Sequence, residues 1–125
     1  MNVNNVGVKG EDYAVKLLQN KGYVVDKRNY RSRYGEIDII AHDAEYLLFV
    51  EVKSRSGNET SPRSAVTLSK QAKIIKTALM YLQENNTNLQ PRFDVIEVYF
   101  SKTQSPSLPR LCHLKNAFEA GDYLL

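Results

Sequence analysis

Gly35-Glu36-Ile37-Asp38-Ile39-Ile40-Ala41-His42-Asp43-Ala44-Glu45-Tyr46-Leu47-Leu48-Phe49-Val50-Glu51-Val52-Lys53 reads as two strands joined by a turn. Glu36 to Ala41 and Tyr46 to Lys53 are rich in β-branched and aromatic residues, and His42-Asp43-Ala44-Glu45 supplies the polar turn between them. Side chains alternate along a strand, so Glu36, Asp38 and Ile40 are expected on one side and Ile37, Ile39 and Ala41 on the other. On the second strand Leu47, Phe49, Glu51 and Lys53 share a face. Its otherwise apolar run is typical of a strand covered on both sides, and charges there must be paired, coordinated or exposed at a cleft. A hairpin with matched faces brings Asp38 and Glu51 together and sets Lys53 two residues beyond.

A pair of carboxylates is what a hard divalent cation such as Mg²⁺ (or Mn²⁺) needs, because it takes oxygen ligands and keeps waters and phosphate oxygens in the rest of its shell. A neighbouring lysine suits phosphodiester hydrolysis, where it can orient or polarise the attacking water. A Glu-Val-Lys tripeptide alone is more often an ordinary salt bridge at a strand end. The metal-site reading rests on the conjunction of Asp38, a hairpin-length gap, Glu51 and Lys53, and a half-buried Glu11 on the preceding helix.

Upstream, Ala14, Leu17, Leu18 and Lys21 fall at helical spacing before Gly22, which predicts a helix from about Val8 to Asn20. Glu11 lies one turn before Ala14 and two before Leu18, at the border of the buried face. After Tyr23-Val24-Val25 comes a basic and aromatic stretch, Lys27-Arg28-Asn29-Tyr30-Arg31-Ser32-Arg33-Tyr34, with Gly35 as a tight turn between strands. Arg28, Tyr30, Arg31 and Arg33 are candidates to grip phosphates and stack on bases; a solvated edge strand explains the same stretch.

Downstream, Ser56 to Pro62 reads as a loop. Leu68, Ala72, Ile75, Leu79 and Leu82 mark an amphipathic helix from Thr67 to the Asn85-Asn86 region, with Lys70, Lys73 and Lys76 on another face. Arg55, Arg63, Lys70 and Lys73, with Lys76, would extend a basic rim past the acidic pocket, although lysines along a helix also serve plain solubility. Phe93 to Phe100 is a further strand, Ser101 to Pro109 a loop, and Leu111 to Leu114 a short last strand. Arg92 and Asp94 are expected to form a structural ion pair, and His42 and His113 to be structural or surface residues. The order is helix, three strands, helix, strand, strand, an α/β arrangement with a mixed central sheet flanked by helices.

The 125 residues suffice for one domain spanning 1–125 but not for two independent cores. Hydrophobic residues at 42% and charged residues at 25% place the chain with globular proteins. A lone cysteine, Cys112, excludes an internal disulfide and a cysteine zinc site. Without a membrane-length apolar run or a signal peptide, the expected location is cytoplasmic, with no membrane partner. A net charge of +3 permits an anionic partner.

Gly10-Glu11, Arg28-Asn29-Tyr30-Arg31, Gly35 to Ala41, Phe49-Val50-Glu51-Val52-Lys53-Ser54-Arg55 and Arg92-Phe93-Asp94-Val95 resemble, in order and spacing, the YraN-like family of small bacterial proteins, from about Gly7 to Phe118. That family is in turn similar to the archaeal Holliday-junction resolvases and the wider PD-(D/E)xK nuclease superfamily, whose restriction-endonuclease-like fold is a mixed sheet flanked by helices. The resemblance implies metal ligands at Asp38 and Glu51, a catalytic lysine at Lys53, Glu11 as a further acidic residue and Gln71 as a candidate on the following helix. Ile37 stands where the superfamily name has proline, which leaves the aspartate ligand untouched. The expected activity is Mg²⁺-dependent endonucleolytic hydrolysis of DNA, branched or single-stranded, in repair or recombination. The alternative is a nucleic-acid-binding module without catalysis. Cutting two strands together would require a symmetric homodimer.

Overall fold

The hairpin expected around Asp38 and Glu51 forms. In the computed structural model, which describes residues 4–56, 66–101 and 108–121, α1 (Asn4–Asn20) is followed by β1 (Val24–Ser32), β2 (Gly35–His42) and β3 (Tyr46–Ser56). Then come α2 (Leu68–Glu84), β4 (Gln90–Phe100) and β5 (Arg110–Phe118). The loop expected from Ser56 lies, beyond that residue, outside the described residues. So do Arg63 and most of the loop expected over Ser101 to Pro109.

Between β2 and β3 the turn is held by Asp43, whose Oδ1 accepts the N–H groups of Glu45 at 2.8 Å and Tyr46 at 2.7 Å. A short aspartate side chain thus replaces the backbone pairing that a turn gives up. The sheet runs β1-β2-β3-β4-β5, antiparallel throughout except for the parallel pair β3 and β4. A parallel pair needs a long crossover, and α2 lies in that connection. The result is an α/β fold with a mixed sheet and a helix packed on each face.

On the α1 side Ala14 and Leu18 pack with Ile39, Leu48, Val50 and Ile96; on the α2 side Ile74, Ile75, Ala78 and Tyr81 pack with Ile37, Ile40, Phe49 and Phe93. Both layers are closed to water, and each large side chain buried in them contributes about 1.5–3 kcal/mol. No helix among the described residues is long and apolar enough to cross a membrane.

Three expectations change. Ile37 and Ile39 face opposite layers instead of sharing one. Asn29, at φ 53°, lies across from Asp38, between the pairs Arg28↔Ile39 and Tyr30↔Ile37. Strict alternation along β2 thus fails at the position of the aspartate, opposite a left-handed residue of β1.

The buried stripe of α2 is also rotated from the expected one. Ile74, Ile75, Thr77, Ala78 and Tyr81 are buried, whereas Leu68 is 82% exposed. Tyr81 draws the helix round, because its ring packs edge-on against Tyr30 at 5.2 Å and Phe49 at 6.0 Å.

Gly35, finally, is not the turn. It pairs with Ser32 across Arg33 and Tyr34, and a Cβ there would stand 3.3 Å from Lys73 Cβ. Its value is the close approach of α2. Beside it Ser32 Oγ and Thr77 Oγ1 lie 2.7 Å apart, and the Thr77 hydroxyl donates to Lys73 O at 2.9 Å, so Ser32 donates to Thr77. Thr77→Val keeps the shape and leaves the Ser32 hydroxyl half-buried without its acceptor. The expected loss is about 1–2 kcal/mol, read as a lower urea midpoint at unchanged m-value.

Candidate active site

Pairing between β2 and β3 runs from His42↔Leu47 to Ile39↔Val50 and then stops, although both strands continue. The next positions across the gap are Asp38 and Glu51. The N–H of Val52, which the sheet no longer uses on this side, donates to Asp38 Oδ2 at 2.7 Å. Asp38 is thereby fixed by the strand that carries Glu51, and the two carboxyl groups hydrogen-bond to each other.

Burial, then the neighbouring Glu51 carboxylate, push the Asp38 carboxyl up to about 7, against the pull of the Val52 N–H. Glu51 is 8% exposed, and its Oε1 is reached by Lys70 Nζ at 3.3 Å from the first turn of α2. Thr67 caps that helix, accepting the Lys70 N–H at 3.1 Å. Lys53 follows two residues after Glu51 on β3, in register with Glu97 of β4.

Glu11 approaches from the α1 side. Burial and then Asp38 raise its pKa, while Arg28 and the Asn29 side chain lower it. Its Oε1 is buried without a hydrogen bond, with Arg28 Nη2 3.6 Å away. Helix α1 comes this near because Gly10 has no side chain: a Cβ there would collide with Ser54 Oγ at 1.9 Å.

These residues suit a divalent cation. Two carboxyl groups side by side, with the Lys70 ammonium at Glu51, form an oxygen donor pair of the kind a divalent cation takes. Among the described residues no group of three His, Cys, Asp or Glu side chains is arranged to hold a metal ion. Glu11 therefore acts on Asp38 through its charge, and the remaining coordination positions would fall to water and phosphate, which Mg²⁺ tolerates.

The matching family model is described as "Uncharacterised protein family UPF0102" and covers residues 10–98. The chain belongs to the UPF0102 family. The UPF0102 protein TTE1452 of Caldanaerobacter subterraneus subsp. tengcongensis is 41% identical over 120 residues, covering 94% of this chain and 98% of its own. A UPF0102 protein of Geobacter metallireducens is 44% identical over 117 residues, 92% of this chain and 93% of its own. One from Clostridium botulinum strain Loch Maree is 42% identical over 118 residues, 92% and 94% of the two chains.

The described basic residues expected at a nucleic-acid surface of this UPF0102 chain differ in their partners. Arg28 pairs with Asp12 at 2.9 Å, and Arg31 with Glu36 at 2.9 Å. Arg55 pairs with the buried Glu97 at 3.4 Å. Tyr30 packs its ring in the core and bonds Glu84 Oε2 at 3.2 Å, so the ring is not presented as a stacking platform. Gln71 donates its amide to Val66 O at 2.8 Å, fixing the entry to α2.

Arg33, Lys73 and Lys76 stand apart. Arg33 and Lys76 lie over the Tyr34 ring at 5.0 and 5.6 Å, and Lys73 packs against Gly35. Among the described residues none of the three has an ion-paired carboxylate. With Lys70 they make a basic strip from the hairpin tip to the carboxylate pair.

Sequence reasoning missed Asn29 and the role of Lys70. Asparagine is unusual inside a strand and tolerates left-handed backbone, a signal present in the chain itself. The Lys70 contact with Glu51 depends on where α2 docks, which no local pattern specifies.

Proposed function

We propose that this protein is a metal-dependent nuclease of restriction-endonuclease-like fold, acting on DNA in the cytoplasm. The observation that carries the reading is a hydrogen-bonded carboxyl pair, half-buried Asp38 and buried Glu51, set where two strands part and followed on the same strand by Lys53.

Asp38 and Glu51 would hold Mg²⁺ or Mn²⁺. The bound ion would supply Lewis-acid chemistry, acidifying water and offsetting negative charge on the phosphate. Lys53 orients the attacking water and balances charge on a non-bridging oxygen as the new O–P bond forms and the ester P–O bond breaks. Arg33, Lys73 and Lys76 hold the flanking backbone through charge, which gives no base preference; branched or single-stranded DNA is the substrate class we propose. A symmetric homodimer would place two such sites for cutting two strands.

One observation favours a second reading, a nucleic-acid-binding module without catalysis. Lys70 already neutralises Glu51, and Val52 and Glu51 already satisfy Asp38.

Labelled single-stranded, duplex and four-way-junction DNA, incubated with Mg²⁺ or Mn²⁺ and in parallel titrated for binding, separate the two. The nuclease reading expects metal-dependent products on at least one substrate. Salt-sensitive binding with no products on any of them moves the assignment to the binding module.

A further inference from the structure

Lys70 stands between two features of opposite sign. Its Nζ is 3.3 Å from Glu51 Oε1, yet the lysine side chain is 54% exposed while that of Glu51 is 9% exposed. The carboxylate is fixed in the protein and the ammonium reaches it from solvent on a flexible stem. Lys73 and Lys76 follow at successive turns of the same helix, so Lys70 is also the end of the basic strip nearest the carboxylate pair. From Lys70 to Lys76 the helix rises about 9 Å, roughly two to three nucleotide rises of ~3.4 Å along one strand. A phosphate chain lying on Lys76 and Lys73 arrives at Lys70 next.

An ammonium ion and a divalent cation cannot both hold Glu51 Oε1 at contact distance without strong repulsion in a site this buried. We propose that Lys70 couples DNA binding to metal binding. It is the resident counter-cation of Glu51 in the resting protein, and it turns outward to a DNA phosphate when a strand lies on the basic strip, freeing Glu51 to take Mg²⁺ or Mn²⁺. This rests on the metal-site reading above and adds a regulatory step to it: DNA and cation favour each other's binding. By linkage the factor is the same in both directions, and couplings of this kind are typically about 5–150-fold. The physiological consequence is a site that takes metal more weakly until substrate is present.

Isothermal titration of Mn²⁺ tests this, with and without an oligodeoxythymidylate of about 12 nucleotides. Both arms use a Lys53→Ala background so that no cutting disturbs the heats. The chain with Lys70 should bind Mn²⁺ roughly 10-fold more tightly when the oligonucleotide is present. Lys70→Gln should bind Mn²⁺ about 10-fold more tightly in the absence of DNA, and its response to the oligonucleotide should be clearly smaller than that of the chain with Lys70, what is left being the phosphate's own share in the metal shell. Lys70→Ala should behave like Lys70→Gln, which excludes a new bond from glutamine to Glu51. Equal Mn²⁺ affinity of the chain that retains Lys70 and of Lys70→Gln, with the oligonucleotide effect intact in both, overturns the coupling role and leaves the metal site standing. Failure of Mn²⁺ to bind any of the chains under either condition overturns both.

Discussion

Asp94→Ala is expected to lower the folding free energy by about 3–5 kcal/mol, a fall in Tm on the order of 10–20 °C for a chain of this size. Asp94 is fully buried. Its carboxylate accepts two bonds from Arg92, both at 2.9 Å, one from His113 Nε2 at 2.7 Å and one from the Asn116 N–H at 3.0 Å. Arg92 also donates to the Tyr23 hydroxyl at 3.0 Å, and Lys21 Nζ lies 2.8 Å from His113 Nδ1. The network ties the end of α1 to β4 and β5 on the α1 face of the sheet. Alanine leaves a guanidinium, an imidazole and a backbone N–H buried without their acceptor, which is why the cost exceeds that of an exposed ion pair.

The same residue shapes the acid side of the stability curve. Burial alone would raise the Asp94 pKa, but hydrogen bonds from His113, Arg92 and Asn116 outweigh it and hold the carboxyl below its ordinary 3.8. A depressed value means that the contribution is present above the unfolded pKa and is lost as pH falls through the folded one. Asp94→Asn should therefore flatten the acid limb of stability, measured by urea midpoints below about pH 5.

Asp38→Asn is expected to do the opposite for stability while abolishing metal-dependent cleavage. The Asp38 carboxyl is raised from 3.8 to about 7, so its folded form prefers the proton. Stability is then full below the unfolded pKa and declines as pH rises through about 7. Asparagine keeps an acceptor for the Val52 N–H, gains a donor toward Glu51 and carries no charge. Relative to the wild type, the metal-free variant should gain on the order of 2–4 kcal/mol between about pH 5 and pH 9. If Asp38 holds the metal as proposed, adding Mn²⁺ at about pH 8 should raise the Tm of the wild type and leave that of Asp38→Asn unmoved. A gain in stability with a loss of function is the signature of a site kept strained for its chemistry.

Much of this was legible in the chain because local patterns carry it. The apolar runs around Ile39 and Phe49, and the polar turn at Asp43, specify a hairpin whose register sets Asp38 across from Glu51. Arg92 and Asp94 were readable as a structural ion pair that orders the sheet. What was not legible depends on docking. The side of α2 that turns inward is decided by the fit of Tyr81 between Tyr30 and Phe49, and that rotation in turn decides that Lys70 reaches Glu51. Arg28, Arg31 and Arg55 looked like a nucleic-acid grip from spacing alone. Their carboxylate partners Asp12, Glu36 and Glu97 are on neighbouring elements or further along the hairpin, so only the folded chain separates them from Arg33, Lys73 and Lys76. Ile37 and Ile39 misled because alternation breaks between them at Asp38, opposite the left-handed Asn29 of the neighbouring strand.

Whether Asp38 and Glu51 hold the metal of a phosphodiester-cleaving centre, with Lys53 beside them, is decided by rates of DNA cleavage. Wild type, Asp38→Asn and Lys53→Ala are each given a labelled four-way junction and a single strand in Mg²⁺ or Mn²⁺, at protein concentrations that saturate binding. Products are expected from the wild type only with the metal present, with a loss of at least about 100-fold in both variants while they remain folded and bound to DNA. Metal-dependent cutting at an undiminished rate by folded Asp38→Asn would contradict the assignment.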